Sequence, residues 1–290
     1  MRGVLLAAAG AVCWSPDGLI LRAVHADAWQ ALFWRMLSYG LVLGLLLALR
    51  ERTNLLAACG RMGRPGLLVA LLFAAVNASF VYSITHTAVA NALVIFAMVP
   101  LFGAVLGWVF LRERVPPRTL LVMAIGIGSI GAIFVERLAL GSATGDFFAV
   151  LATLLFAGNL TLARKYPDEP LLPPMALGGL IGAIIGAIPS DPIAVAPSDI
   201  ALLVASGAIQ QPAAFFLFLS GARYLPPAEV GLLNLIETIL GPLWVWLAIG
   251  EQPSDVALVA GMVVIAALTG HSWLALREER RGPAAAAPLH

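Results

Sequence analysis

Residues 88–114 read AVANALVIFAMVPLFGAVLGWVFLRER, and residues 226–252 read PPAEVGLLNLIETILGPLWVWLAIGEQ. The first stretch stays uncharged until Arg112-Glu113-Arg114. A hydrocarbon layer about 30 Å thick takes about 20 apolar residues per helical crossing, so residues 88 to 111 predict a transmembrane helix. The second stretch follows at an offset of 138 and keeps register: Ala90 pairs with Ala228, Gly103 with Gly241, Trp108 with Trp246 and Glu113 with Glu251.

The repeat extends towards both termini. At an offset of 142, Gly3 pairs with Gly145, Ala7 with Ala149, Trp14 with Phe156, Asp17 with Asn159, Arg22 with Arg164, Gly40 with Gly182 and Gly44 with Gly186. Two copies of one unit therefore cover the chain, read as residues 1–138 and 139–276 with a tail at 277–290. Apolar runs predict helices near 3 to 23, 28 to 49, 66 to 86, 88 to 111 and 117 to 136 in the first copy. Those near 145 to 165, 173 to 189, 199 to 222, 226 to 249 and 254 to 275 make up the second. Five helices per copy is an odd number, so the second copy enters the membrane from the opposite side, the pattern of inverted-repeat transporters.

Composition agrees. Of 290 residues, 61% are apolar and 11% charged, whereas a soluble surface needs roughly a quarter charged. The expected fold is an all-α integral membrane protein, because a closed barrel would show short alternating segments instead. Met1-Arg2 with Ala7, Ala9 and Ala11 before Cys13 has some features of a signal peptide. The apolar stretch ahead of those alanines is short and more membrane segments follow at once, so helix 1 is expected to be retained. Cys13 and Cys59 give neither a disulfide framework nor a metal spacing.

Orientation follows from the 17 Lys and Arg residues. With the N-terminus inside, Arg2, Arg50, Arg52, Arg61, Arg64, Arg112, Arg114, Arg118, Arg164, Lys165, Arg223, Arg277, Arg280 and Arg281 are cytoplasmic. Only Arg22 and Arg137 fall outside, and Arg35 lies within helix 2. Both termini are thus expected in the cytoplasm, with the end after Arg281 disordered.

Phe33-Trp34-Arg35, Ala88 to Pro100 leading into Leu111-Arg112-Glu113-Arg114, and Gly250-Glu251 carry a family resemblance. The chain resembles the EamA-like branch of the drug/metabolite transporter superfamily over residues 3 to 275, and within it the YddG-type exporters of aromatic and other neutral amino acids. That resemblance implies a secondary transporter of the bacterial inner membrane, taking amino acids and related small metabolites. One departure breaks the repeat: Val99-Pro100 corresponds to Glu237-Thr238, and the helix 9 proline is Pro242.

Charges in hydrocarbon cost roughly 2.5 to 3.5 kcal/mol each on insertion scales and need a partner or a solvated cavity. Asp17 and Arg35 lie at matching depths and can meet, either as a buried pair stapling helices 1 and 2 or as substrate ligands. Glu237 falls near the middle of helix 9 with no obvious cation at its depth, sharing a face with Asn234 and Gly241; it is expected to bind a substrate ammonium or carry a coupling proton. Ser79, Tyr82, Ser83 and His86 line one face of helix 3, near Asn77, with Tyr82 and His86 reading equally as interfacial anchors. Gln210, Gln211 and Pro212 fall near the middle of helix 8. Ser15-Pro16-Asp17-Gly18 interrupts helix 1, and Ala157-Gly158-Asn159 is its weaker counterpart in helix 6. Pro100, Pro212 and Pro242 add candidate kinks, and Gly40 and Gly44 of helix 2 with Gly178, Gly182 and Gly186 of helix 7 predict close helix packing. Trp14, with Phe80 and Tyr82 opposite, would wall a pocket suited to a zwitterion with an apolar side chain.

The chain carries no P-loop, HExxH, GxSxG or Cys/His ligand set, so neither an enzyme nor a cofactor is expected. The expected partners are a small-molecule substrate and the lipid bilayer, with no nucleic acid, and with protons exchanging at Asp17, Glu237 or His86 as the candidate coupling ion. A broader exporter of metabolites or cationic drugs on the same fold is the alternative.

Overall fold

The computed structural model describes residues 2–51, 58, 60, 62–112, 117–139, 143–166, 170–222, 224–225 and 227–281. Every regular element among the described residues is helical. Helix 1 is Arg2–Trp14 followed by Asp17–Ala23, helix 2 Ala28–Glu51, helix 3 Gly63–His86, helix 4 Val89–Phe96 followed by Val99–Leu111, and helix 5 Pro117–Ala139. Helix 6 is Thr144–Lys165 and helix 7 Leu172–Ala187. Helix 8 is Pro197–Ala205 and Gln211–Ala222 around a π-helical turn at Ser206–Gln210, helix 9 Pro227–Ile249 and helix 10 Asp255–Arg281. Among the described residues, eight helices are long and apolar enough to cross a bilayer, and the apolar stretches Leu172–Ala187 and Leu233–Ile249 are shorter. The chain is an all-helical multi-pass membrane protein.

The halves interlock by exchange. Helix 2 packs on helix 7 and helix 5 on helix 10, while helix 1 packs on helix 8 and helix 3 on helix 6. A twofold relating the halves maps the first two pairs onto themselves and the last two onto each other. The exchange holds at single residues. A Cβ on Gly3 would stand 2.9 Å from Tyr224 Cβ, and one on Gly145 2.6 Å from the His86 carbonyl carbon. Gly3 and Gly145 are repeat partners at 142, and His86 and Tyr224 at 138. Helices 4 and 9 end alike, with left-handed residues at Arg112 (φ 57) and its partner Gly250 (φ 70).

Gly40, Gly182 and Gly186 pack closely between helices 2 and 7, as expected. A Cβ on Gly179 would lie 2.7 Å from Gly40 Cα, and one on Gly186 2.6 Å from the Trp29 carbonyl oxygen, so backbone meets backbone. Gly178 packs as closely on helix 3, where the Ala70 carbonyl oxygen is 2.7 Å from its would-be Cβ.

The candidate breakers act in different ways. Helix 4 breaks at Ala97-Met98, one turn ahead of the kink expected at Pro100, because a proline is accommodated in the first turn of the segment it begins. Helix 8 widens into its π-turn just before Pro212, whose ring displaces the carbonyl one turn back. Pro242 leaves helix 9 continuous. Helix 6 runs unbroken through Gly158, since a glycine alone removes no hydrogen bond. Helix 10 continues past 275 to Arg281, with no breaker in between and the Arg277 guanidinium 3.5 Å from the centre of the Trp273 ring one turn earlier. Cys59, Glu113, Arg114 and the segment after Arg281 lie outside the described residues.

Candidate functional site

The break in helix 1 organises the site. Pro16 has no N–H for the Val12 carbonyl, which accepts from Ser15 Oγ at 2.8 Å instead, and the break leaves the Cys13 and Trp14 carbonyls without helical partners. Gln210 of the π-turn supplies them: its Nε2 donates to the Cys13 carbonyl at 3.1 Å and to the Trp14 carbonyl at 3.4 Å. Trp14 Nε1 donates to Gln211 Oε1 at 3.1 Å, and Trp244 of helix 9 donates to Ser15 Oγ at 2.8 Å. An irregularity of one half is thus satisfied by side chains of the other, with the wider π-turn offering Ser206 and Gln210 to the same break. Replacing Gln210 with Leu is expected to lower stability by about 1–2 kcal/mol, read as a reduced melting temperature in detergent, since it strands two carbonyls in an apolar interior.

Asp17 opens the second segment of helix 1. Arg35 Nη2 donates to its Oδ2 at 2.8 Å, and Ser206 Oγ to its Oδ1 at 3.4 Å. Asp17 is 4% exposed and Arg35 2%, so the pair is sealed from the surface. The guanidinium is incompletely used, because Arg35 Nε and Nη1 are buried without a hydrogen-bond partner among the described residues. An arginine offers five N–H donors, and leaving buried ones unmade is costly, so Arg35 retains donors with which an added anionic group could pair. Gly207 admits the arrangement, since any Cβ there would collide with the Arg35 carbonyl oxygen and Ser38 Oγ.

Glu237 completes the cluster. The sequence reading left it without a cation; in the structure both Asp17 and Arg35 act on it electrostatically. A depth estimate along one helix says nothing about lateral neighbours, and helix 9 packs against both segments of helix 1. Glu237 makes no hydrogen bond or ion pair among the described residues. Helices 4 and 9 run antiparallel, with the Val89 amide at Glu251 and Leu93 against Gly241. One turn further, that alignment carries Glu237 towards Phe96 and the break in helix 4. Phe96 stacks on Phe156 at 5.4 Å and meets Phe80 at 5.3 Å. By that register Glu237 falls at the level of an aromatic group contributed by helices 3, 4 and 6.

The remaining sequence candidates lie elsewhere. Trp14 packs on Phe218 of helix 8 at 5.7 Å and not opposite Tyr82, because its indole is turned to Gln211. Tyr82 stacks on His86 at 3.8 Å and contacts Trp29 and Phe148, with His86 exposed at the end of helix 3. Asn77 donates to the Phe73 carbonyl of its own helix, Ser79 is buried, and Asn159 donates to the Val69 carbonyl at 3.2 Å. Ser206 and Trp244 were not singled out from sequence. Ser206 had a signal, one turn before Gln210 on the same face, whereas nothing marked Trp244 among membrane tryptophans.

No curated protein matches this chain. A solved crystal structure shares 16% identity with it, superposes with a TM-score of 0.67, and the alignment covers 94% of this chain and 98% of the other, which shows a common fold. The sequence pattern of the EamA-like transporter family matches twice, over residues 1–135 and 143–273. With nearly the whole chain accounted for by two copies of that pattern, and helices exchanged between the copies around a buried polar cluster, the protein belongs to the EamA-like transporter family of the drug/metabolite transporter superfamily.

Proposed function

We propose that this transporter exports amino acids, aromatic and other neutral ones, with related small metabolites, across the bacterial inner membrane in the manner of YddG-type exporters. Both chain ends are taken as cytoplasmic, the two halves as rocking about the central cluster, and protons as the coupling ion. One observation carries the reading: a buried arginine with unpaired donors stands within the field of an unpartnered carboxyl group. A zwitterion supplies the complement of each, its carboxylate to Arg35 and its ammonium to Glu237, while Phe80, Phe96 and Phe156 offer an apolar side chain a matching surface.

The test is counterflow in proteoliposomes with labelled phenylalanine and leucine. Saturable uptake accelerated by unlabelled substrate on the opposite side is expected, and a pore would show neither property. Glu237→Gln is expected to reduce this flux by about tenfold or more, the worth of a charge-assisted hydrogen bond, and to flatten its pH dependence. A variant with unchanged affinity and pH profile would remove Glu237 from the site. Flux of organic cations with none of any amino acid would favour the alternative of a cation-exporting carrier, in which Glu237 is the principal ligand.

A further inference from the structure

At the end of the molecule carrying Arg22 and Glu251, the side expected to face outward, a second polar cluster stands apart from the central site. Arg22 Nε donates to Glu251 Oε2 at 2.8 Å, and the Val89 amide donates to Glu251 Oε1 at 3.0 Å. Arg22 Nη1 reaches the Thr85 carbonyl at 3.2 Å. Arg22, Thr85 and Val89 belong to the first half, at the ends of helices 1 and 3 and the start of helix 4; Glu251 belongs to the second. Every bond in this cluster that joins the halves therefore ends on one carboxylate.

Local structure aims that carboxylate. Helix 9 stops at Ile249, and Gly250, at φ 70, turns the chain so that Glu251 folds back over the first turn of helix 4. There it meets a helix N-terminus as well as a guanidinium, both favourable to an anion. Glu251 also borders a narrow crevice between helices 4 and 9, lined by Val89, Ala90, Pro242, Val245 and Pro253 and too tight to admit water.

We infer that the Arg22–Glu251 ion pair is the latch that closes this end of the transport path, and that its separation is a step of the transport cycle. The inference rests on the carrier reading above but on no particular substrate. Its exposure distinguishes it from a permanent staple. The side chains of Arg22 and Glu251 are 28% and 23% exposed, against 3% and 5% for the Arg35–Asp17 pair. Water reaches the outer pair, which is screened by salt and broken at little cost, whereas the inner pair is sealed from the surface in this structure. The first half carries the same residue types by repeat register, Arg164 for Arg22 and Glu113 for Glu251.

The test needs no substrate. Val245 lines the crevice and is 1% exposed. Val245→Cys, in a background with Cys13 and Cys59 replaced by Ala, is labelled with a soluble maleimide in nanodiscs, where both faces are open to reagent. Glu251→Gln and Arg22→Gln are each expected to raise the labelling rate about threefold to tenfold, and the charge swap Arg22→Glu/Glu251→Arg to return it towards the reference. Raising salt to about 1 M should speed the reference protein and leave Glu251→Gln unmoved. The salt response is read on the intact pair and requires neither single variant to fold. A reference rate indifferent to salt, single variants labelled no faster than it, or a charge swap as fast as the singles would overturn the latch. Loss of amino acid flux alongside an intact labelling pattern would instead count against the substrate.

Discussion

Arg35→Leu is expected to destabilise the protein by about 3–5 kcal/mol, the largest effect of any charge substitution here, because it leaves the Asp17 carboxylate buried without its cation. Asp17→Leu should cost a similar amount for the mirrored reason. The double variant should recover much of the loss, since removing both charges also removes the burial of either. Thermal unfolding of the four proteins in one detergent completes the cycle, and additive losses would show that the pair is not coupled. A flux assay on the double variant then separates structure from function. Regained stability with no amino acid transport is the expected result, because Arg35's spare N–H groups are gone together with the ion pair.

Gly207→Ala should come close to that in magnitude, about 3 kcal/mol, for a different reason. Its new methyl would meet the Arg35 carbonyl oxygen and the Ser38 hydroxyl. Ser38 already donates to the carbonyls of Trp34 and Arg35, so neither neighbour can yield without displacing helix 2. Gly158→Ala is the control in the same assay. Its Cβ would approach only Leu106 Cδ1 at 3.9 Å, and it replaces a mid-helix glycine, so a gain of about 0.5–1 kcal/mol is expected. Equal losses at the two positions would mean that helix 8 does not approach helix 2 as closely as described.

The class of protein, the helical spans and the repeat register were legible in the chain itself, because each depends on residues close in sequence. An uncharged stretch long enough to cross hydrocarbon has to form its hydrogen bonds internally, and an odd number of such stretches has to invert the copy that follows. Depth along one helix was legible for the same reason, which is how Asp17 and Arg35 could be matched. Lateral neighbours were not. Whether Glu237 comes within the field of Arg35, whether Trp14 faces helix 3 or helix 8, and which carboxylate receives Arg22 are settled by how segments far apart in the chain pack, and helix rotation is set by packing against other helices. Pro16 marked a break without naming what would fill it. Only the folded protein supplied Gln210, because the Cys13 and Trp14 carbonyls left open at the break are satisfied by whichever polar group the opposing half brings to them.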